Sequence, residues 1–147
     1  MLSIRRSTLR DVGRIRDVDP MARENEERRQ QLASWTAGGR VMIGLVDDSI
    51  VGFAVFTDVF FHQPFIELLL VGEAHRRRGY GRALIEHCVA TSPGQKVWTS
   101  TNTSNAAMRA LLEKVGFIES GRVDNLDPGD PELIFVHLPA DTLSKPS

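Results

Sequence analysis

The period of hydrophobic and polar positions changes repeatedly along the chain, and each change marks an element. Residues 2–7 (LSIRRS) predict a short strand. Thr8 then stands as an N-cap ahead of Leu9, Val12, Ile15 and Val18 at helical spacing, and Asp19-Pro20 stops that run. Residues 21–36 (MARENEERRQQLASWT) predict a second, very polar helix ended by Gly38-Gly39, its charge run reading as a solvated face. Two apolar, β-branched runs follow in RVMIGLVDDSIVGFAVFTDVF and turn at Asp47-Asp48-Ser49, which predicts a hairpin. Residues 64–71 (PFIELLLV) form a nearly unbroken apolar run, the pattern of a strand covered on both faces.

The alternation continues. Residues 82–91 predict a helix and 96–100 (KVWTS) a strand. Ser104 or Asn105 opens another helix with Ala107, Met108, Leu111, Leu112 and Val115 inward, and Gly116 closes it. Residues 117–123 and 133–138 complete the series as two strands. The fold class is therefore α/β (α+β) with a mixed sheet. Residues 1–140 read as a single domain and 141–147 (DTLSKPS) as a frayed tail.

Composition removes several functions. A chain of 147 residues with net charge −1 has the size of one domain and no general attraction to nucleic acid or anionic membrane, so neither is expected as a partner. The basic stretch RRSTLRDVGRIR is interrupted by Asp11 and Asp17 and lacks aromatic residues for base stacking. The lone cysteine, Cys88, excludes an internal disulfide and a multi-cysteine metal site, and its place among Leu84, Ile85 and Val89 is that of a packed residue; no metal is expected. No run has the length of a membrane span, and the first residues lack a signal-peptide core, so the expected location is cytoplasmic. The oligomeric state is open, a homodimer included.

Chemistry concentrates in HRRRGYGRALIEHC, residues 75–88. Arginines, a Gly-x-Gly and a helix start within one turn suit an anion, because the first helical amides lack partners and glycine lets a ligand approach the backbone. A dinucleotide fingerprint would need a third glycine where Leu84 stands, and the Gly-Lys-Ser/Thr of a P-loop is absent. What fits is Arg76-x-x-Gly79-x-Gly81 directly after a buried strand, followed by SNAAMRALLEKVGF at 104–117. In these two motifs, and in the order of elements between them, the sequence resembles the GNAT acetyltransferase superfamily.

The resemblance implies a mixed, mostly antiparallel sheet of about seven strands, flanked by about four helices and splayed between strands 4 and 5. It implies acetyl-coenzyme A as cosubstrate and an amine as acceptor, acetylated by direct attack without an acyl-enzyme. The pyrophosphate would rest on amides of the turn formed by Arg76, Arg77, Arg78, Gly79, Tyr80, Gly81 and Arg82, with at least one of the three successive arginines simply solvated. Tyr80 suits either a surface or a functional role. The pantetheine arm would pair with Leu69, Leu70 and Val71, whose backbone offers an oxyanion donor, and Asn105 would bond near the arm, a role compatible with capping its helix.

Glu67, the one ionisable group in PFIELLLV, is the expected general base, a desolvated carboxylate with raised pKa that takes a proton from the amine directly or through water; the alternative is a structural glutamate that faces solvent at the splayed edge or pairs with an arginine. The family's thiolate-protonating tyrosine is replaced by Leu112; His62, Ser104 and water are the substitutes at hand. That replacement keeps a second reading open, a non-catalytic acyl-coenzyme A sensor. The cluster Asp124, Asp127, Asp130 and Glu132 reads either as turn chemistry or as a dock for a cationic acceptor.

Overall fold

The computed structural model describes residues 1–140; the expected frayed tail lies outside the described residues. The strands are β1 (Ser3–Arg6), β2 (Val41–Val46), β3 (Ser49–Phe60), β4 (Gln63–Val71), β5 (Val97–Asn102), β6 (Ile118–Val123) and β7 (Glu132–His137), in the sheet order β1-β2-β3-β4-β5-β7-β6. The helices are α1 (Val12–Val18), α2 (Pro20–Glu24), α3 (Glu26–Ala37), α4 (Tyr80–Ala90) and α5 (Ala106–Val115). Contacts divide the chain into two compact units, Met1–Phe56 with Leu68–His87, and Thr57–Glu67 with the residues from Cys88 onward.

In the first unit, β1 and β3 flank β2 in antiparallel pairs, and the predicted turn at Asp47-Asp48 forms with both residues left-handed (φ 51° and 64°), the geometry whose twist suits a tight hairpin. Ile15, Leu32, Ile43 and Phe53 are fully buried between helices and strands. The single polar helix expected at 21–36 is two helices, because Asn25 takes extended backbone and its side chain accepts the Arg28 N–H at 2.9 Å, starting α3 afresh. Asp19-Pro20 does more than stop α1: Asp19 caps α2 by accepting the Met21 N–H at 3.0 Å, and pairs, fully buried, with Arg28 at 3.0 Å. Leu9, expected inward, is exposed in a 3-10 turn, Leu9–Asp11, that precedes α1.

In the second unit, β4 and β5 run parallel and pair at Phe65↔Trp98 and Ile66↔Thr99. So short a register is what the expected splay between the fourth and fifth strands requires. β7 lies antiparallel between β5 and β6, and the β6–β7 register shifts between Glu119 and Gly121. Asn105 caps α5 by accepting the Met108 N–H at 3.1 Å, and Gly116 closes it in the left-handed region (φ 103°). Leu112 is buried as the pattern predicts and Met108, Leu111 and Val115 are half-buried, whereas Ala107 is exposed; Phe117, just past the helix, is buried too. Only Ile66 of β4 is buried; the expected cover on both faces is missing, and the other apolar residues of the strand are half-buried.

Candidate active site

β4 ends at Val71, and Gly72 turns inward with its N–H on Val51 O at 2.8 Å. A 3-10 turn, Glu73–His75, and two left-handed residues, Arg77 (φ 65°) and Gly79 (φ 82°), then bring the chain to α4. The first amide of α4 with an intrahelical partner is that of Ala83, on Gly79 O at 3.1 Å. The amides of Tyr80, Gly81 and Arg82 precede it and form the donor array that an anion needs. Arg76, Arg77 and Arg78 are all exposed, and the latter two make no hydrogen bond or ion pair among the described residues. Arg82 is paired with Glu86 at 2.8 Å, and Tyr80 is half-buried. Cys88 is fully buried on α4, and burial pushes its thiol up to about 12, which makes it the inert packing residue that its spacing predicts.

Leu69, Leu70 and Val71 lead directly into this turn, in the same unit. Behind them lies a residue that the sequence pattern does not flag. A Cβ placed on Gly52 of β3 would lie 2.6 Å from Leu70 O and 3.2 Å from Val71 Cα, so only glycine lets the two strands meet there. The signal available in the sequence is a glycine inside a β-branched run.

Glu67 and Asn105 belong to the second unit. Glu67 is exposed, so the expectation of a desolvated carboxylate does not hold: it sits next to buried Ile66 but points to the opposite face of the strand. That face also carries Phe65, which register joins to Trp98, and Ser100, the next residue of β5 on the same side. Ser100 Oγ donates to Glu132 Oε2 at 2.7 Å, a carboxylate–hydroxyl pair absent from the sequence reading because β5 and β7 lie far apart in the chain. Phe60 stacks on Phe65 (ring centroids 5.3 Å apart) and touches Trp98 (5.0 Å), whose indole N–H donates to Gln63 at 2.6 Å.

The substitutes for an acid at Leu112, which is fully buried, are not prepared for the role. Ser104 gives both its N–H and its hydroxyl to the Asp130 carboxylate, at 3.0 and 2.6 Å, and His62 is exposed in a left-handed turn. The acidic segment is likewise engaged from within: Asn102 Nδ2 donates to Asp127 at 2.9 Å, and Arg122 pairs with Asp124 at 2.9 Å. These bonds favour turn chemistry over a cation dock at Asp124, Asp127 and Asp130, the last two clasping the chain between β5 and α5.

The chain matches the acetyltransferase (GNAT) family over residues 9–117. A crystal structure of a GNAT-family acetyltransferase from Bacillus cereus superposes with a TM-score of 0.87 at 37% identity, covering 95% of this chain and 98% of that one. Among characterised relatives, the [ribosomal protein bS18]-alanine N-acetyltransferase of Salmonella typhimurium is 33% identical over 99 residues, 63% of this chain and 66% of the relative. The mycothiol acetyltransferase of Clavibacter sepedonicus is 34% identical over 112 residues, 76% of this chain and 36% of the relative. The chain thus spans less than two-thirds of the length of either. With the splayed strands and the Arg76–Arg82 turn in their expected places, and with a family match over most of its length, the chain belongs to the acetyltransferase (GNAT) family.

Proposed function

We propose that residues 1–140 act as one catalytic domain, an N-acetyltransferase that moves an acetyl group from acetyl-coenzyme A to a primary amine by direct attack in a ternary complex. The observation that carries this reading is the Arg77–Arg82 turn: two left-handed residues, an open approach at Gly79, where a Cβ would meet nothing within 4 Å, and three amides at the start of α4. These groups fit a pyrophosphate. Leu69, Leu70 and Val71 would hold the pantetheine arm and offer an N–H to the acyl oxygen, and the Asn105 amide would bond to the arm as in the resembled family, a role compatible with its oxygen capping α5. Acetyl-coenzyme A supplies an acyl group activated as a thioester.

Glu67 would take the amine proton. Being exposed, it does so at a solvated carboxylate, directly or through water, rather than from a desolvated pocket. Leu112 leaves the departing sulfur without a protein acid, which a thiol of pKa near ~8.5 tolerates better than an alkoxide would. A protein amine and a small molecule both occur among the relatives' acceptors, and both remain open here. No helix among the described residues is long and apolar enough to cross a membrane, and a cytoplasmic location goes with the cosubstrate.

The experiment is thiol release from acetyl-coenzyme A with a panel of primary amines, alongside calorimetric titration of the cosubstrate. Gly81→Val should weaken acetyl-coenzyme A by at least about tenfold, because a branched side chain on the first turn of α4 obstructs the approach to its amides. Unchanged affinity would remove the turn from the site. Tight binding with no thiol released to any amine would leave the sensor reading, which buried Leu112 favours.

A further inference from the structure

One face of the second unit is left open beside its carboxylates, and it is apolar. The buried face of β5 carries Val97, Thr99 and Thr101; the opposite face carries Trp98, Ser100 and Asn102, all half-buried. Register places Phe65 and Glu67 of β4, Glu132 and Ile134 of β7, and Gly121 of β6 on this same open side. There a hollow of about 310 Å³ is lined by Phe60, Phe61, Gln63, Trp98, Gly121 and Ile134. That volume lies at the small end of ligand sites. Phe61 is 80% exposed while its ring packs edge-on against Phe60, so a large apolar surface stands uncovered at the rim.

Two carboxylates border the hollow on this face. Register places the carboxylates of Glu67 and Glu132 there, the latter bonded to Ser100, whereas Arg122 of β6 lies opposite Leu133, on the other side of the sheet. Ile134 and Glu132 are two residues apart on β7, and Trp98 and Ser100 two apart on β5, so the apolar hollow and the carboxylate lie roughly 7 Å apart along the strands. A cationic amine suits one end and an aryl or branched apolar group suits the other.

We propose that this hollow is the acceptor's side-chain subsite, and that the acceptor is a primary amine carrying an aromatic or branched apolar group within two or three bonds of the nitrogen. This rests on the amine-acetyltransferase reading above and narrows it. The amine meets Glu67 and Glu132, and the apolar group enters between Trp98 and Ile134. Specificity comes from the area taken out of water, with Phe61 closing the rim.

Gly121 gives a clean test. A Cβ there meets nothing within 4 Å, so Gly121→Val puts a side chain at the wall of the hollow from a Cβ position that is free of contacts. Phe61→Ala removes the exposed wall instead. Calorimetry should show phenethylamine binding at least tenfold tighter than ethylamine to the wild-type protein, with both variants losing that preference while melting temperature and acetyl-coenzyme A affinity hold. Equal binding of the two amines, or a preference that survives both variants, would overturn the proposal. So would a dimer in sedimentation that splits in Phe61→Ala and binds no phenethylamine, since the hollow would then be covered by a second copy. Phenylalaninamide and a tripeptide beginning with phenylalanine separate the two sources of this chemistry: tighter binding of the amide points to a metabolite-sized acceptor, and tighter binding of the tripeptide to a peptide N-terminus. A phenethylamine preference without thiol release from any amine would sink the transferase reading and leave the subsite standing; thiol release without the preference would do the reverse.

Discussion

Glu67 illustrates how a single residue's meaning depends on which way its strand faces. It interrupts an apolar run, which suggests a carboxylate forced out of water, yet alternation along β4 sends it to the open side while Ile66 takes the core. A solvated carboxylate still accepts a proton from an ammonium group of pKa near ~10, and the assistance it gives shrinks as the amine deprotonates by itself. Glu67→Gln is therefore expected to lower turnover by about 10²-fold near neutral pH, with acetyl-coenzyme A affinity unchanged and a defect that narrows as pH rises. Initial rates from pH 6 to 10 decide the matter. A variant with the wild-type profile, together with a collapse in Glu132→Gln, would move the proton to the Ser100–Glu132 pair.

At the scale of elements, Gly52 sets how closely β3 approaches β4 at Leu70 and Val71, residues proposed above to hold the cosubstrate's arm. Gly52 allows Leu70 O to come where a Cβ would stand, 2.6 Å away, and the obstructing atoms are backbone, which moves only with the strand. Gly52→Ala should cost roughly 1–3 kcal/mol in stability and weaken acetyl-coenzyme A as Leu69–Val71 shift. Gly44→Ala on β2 is the comparison: its Cβ would meet the tip of the Leu2 side chain at 3.3 Å, which can swing aside, so its cost should be smaller. Equal losses in chemical denaturation would mean that the contact at Gly52 is relieved as easily as that at Gly44. The elements themselves were legible in the sequence wherever a period ran uninterrupted, as in α5 or the β2–β3 hairpin. Asn25 was not, because a polar helix conceals a polar cap: Asn25 looks like one more solvated residue until its side chain is seen to start α3.

Across the molecule, the near-zero net charge conceals two different uses of acid. The Arg76–Arg82 turn was legible because its residues are consecutive, whereas the aromatic hollow was not, because Phe60, Trp98, Gly121 and Ile134 come from four strands. Charge follows the same division. In the second unit, Asp127, Asp130 and Glu132 accept bonds from the neutral side chains of Asn102, Ser104 and Ser100, which spacing alone does not reveal. In the first unit, buried Asp11 takes two bonds from Arg5 at 2.9 and 3.1 Å, one from the Thr8 N–H at 2.8 Å and one from Arg14 at 2.9 Å. The Arg5 bond does most to hold the Asp11 carboxyl well below the usual carboxylate range, outweighing the burial that would raise it. Because the folded state lowers this pKa, its stabilisation is fully present above the unfolded value of ~3.9 and is lost as pH falls through the folded value. Asn in place of Asp11 keeps one acceptor but removes the charge between two arginines that are each about half exposed, so roughly 2 kcal/mol is expected, toward the low end for charged hydrogen bonds. The difference between wild type and Asp11→Asn should then be constant from about pH 5 upward and narrow below about pH 4. Thermal unfolding of both proteins from pH 3 to 7 tests it, and a difference that stays constant down to pH 3, or one that widens there, would show that Asp11 does not anchor the arginine-rich edge of the fold.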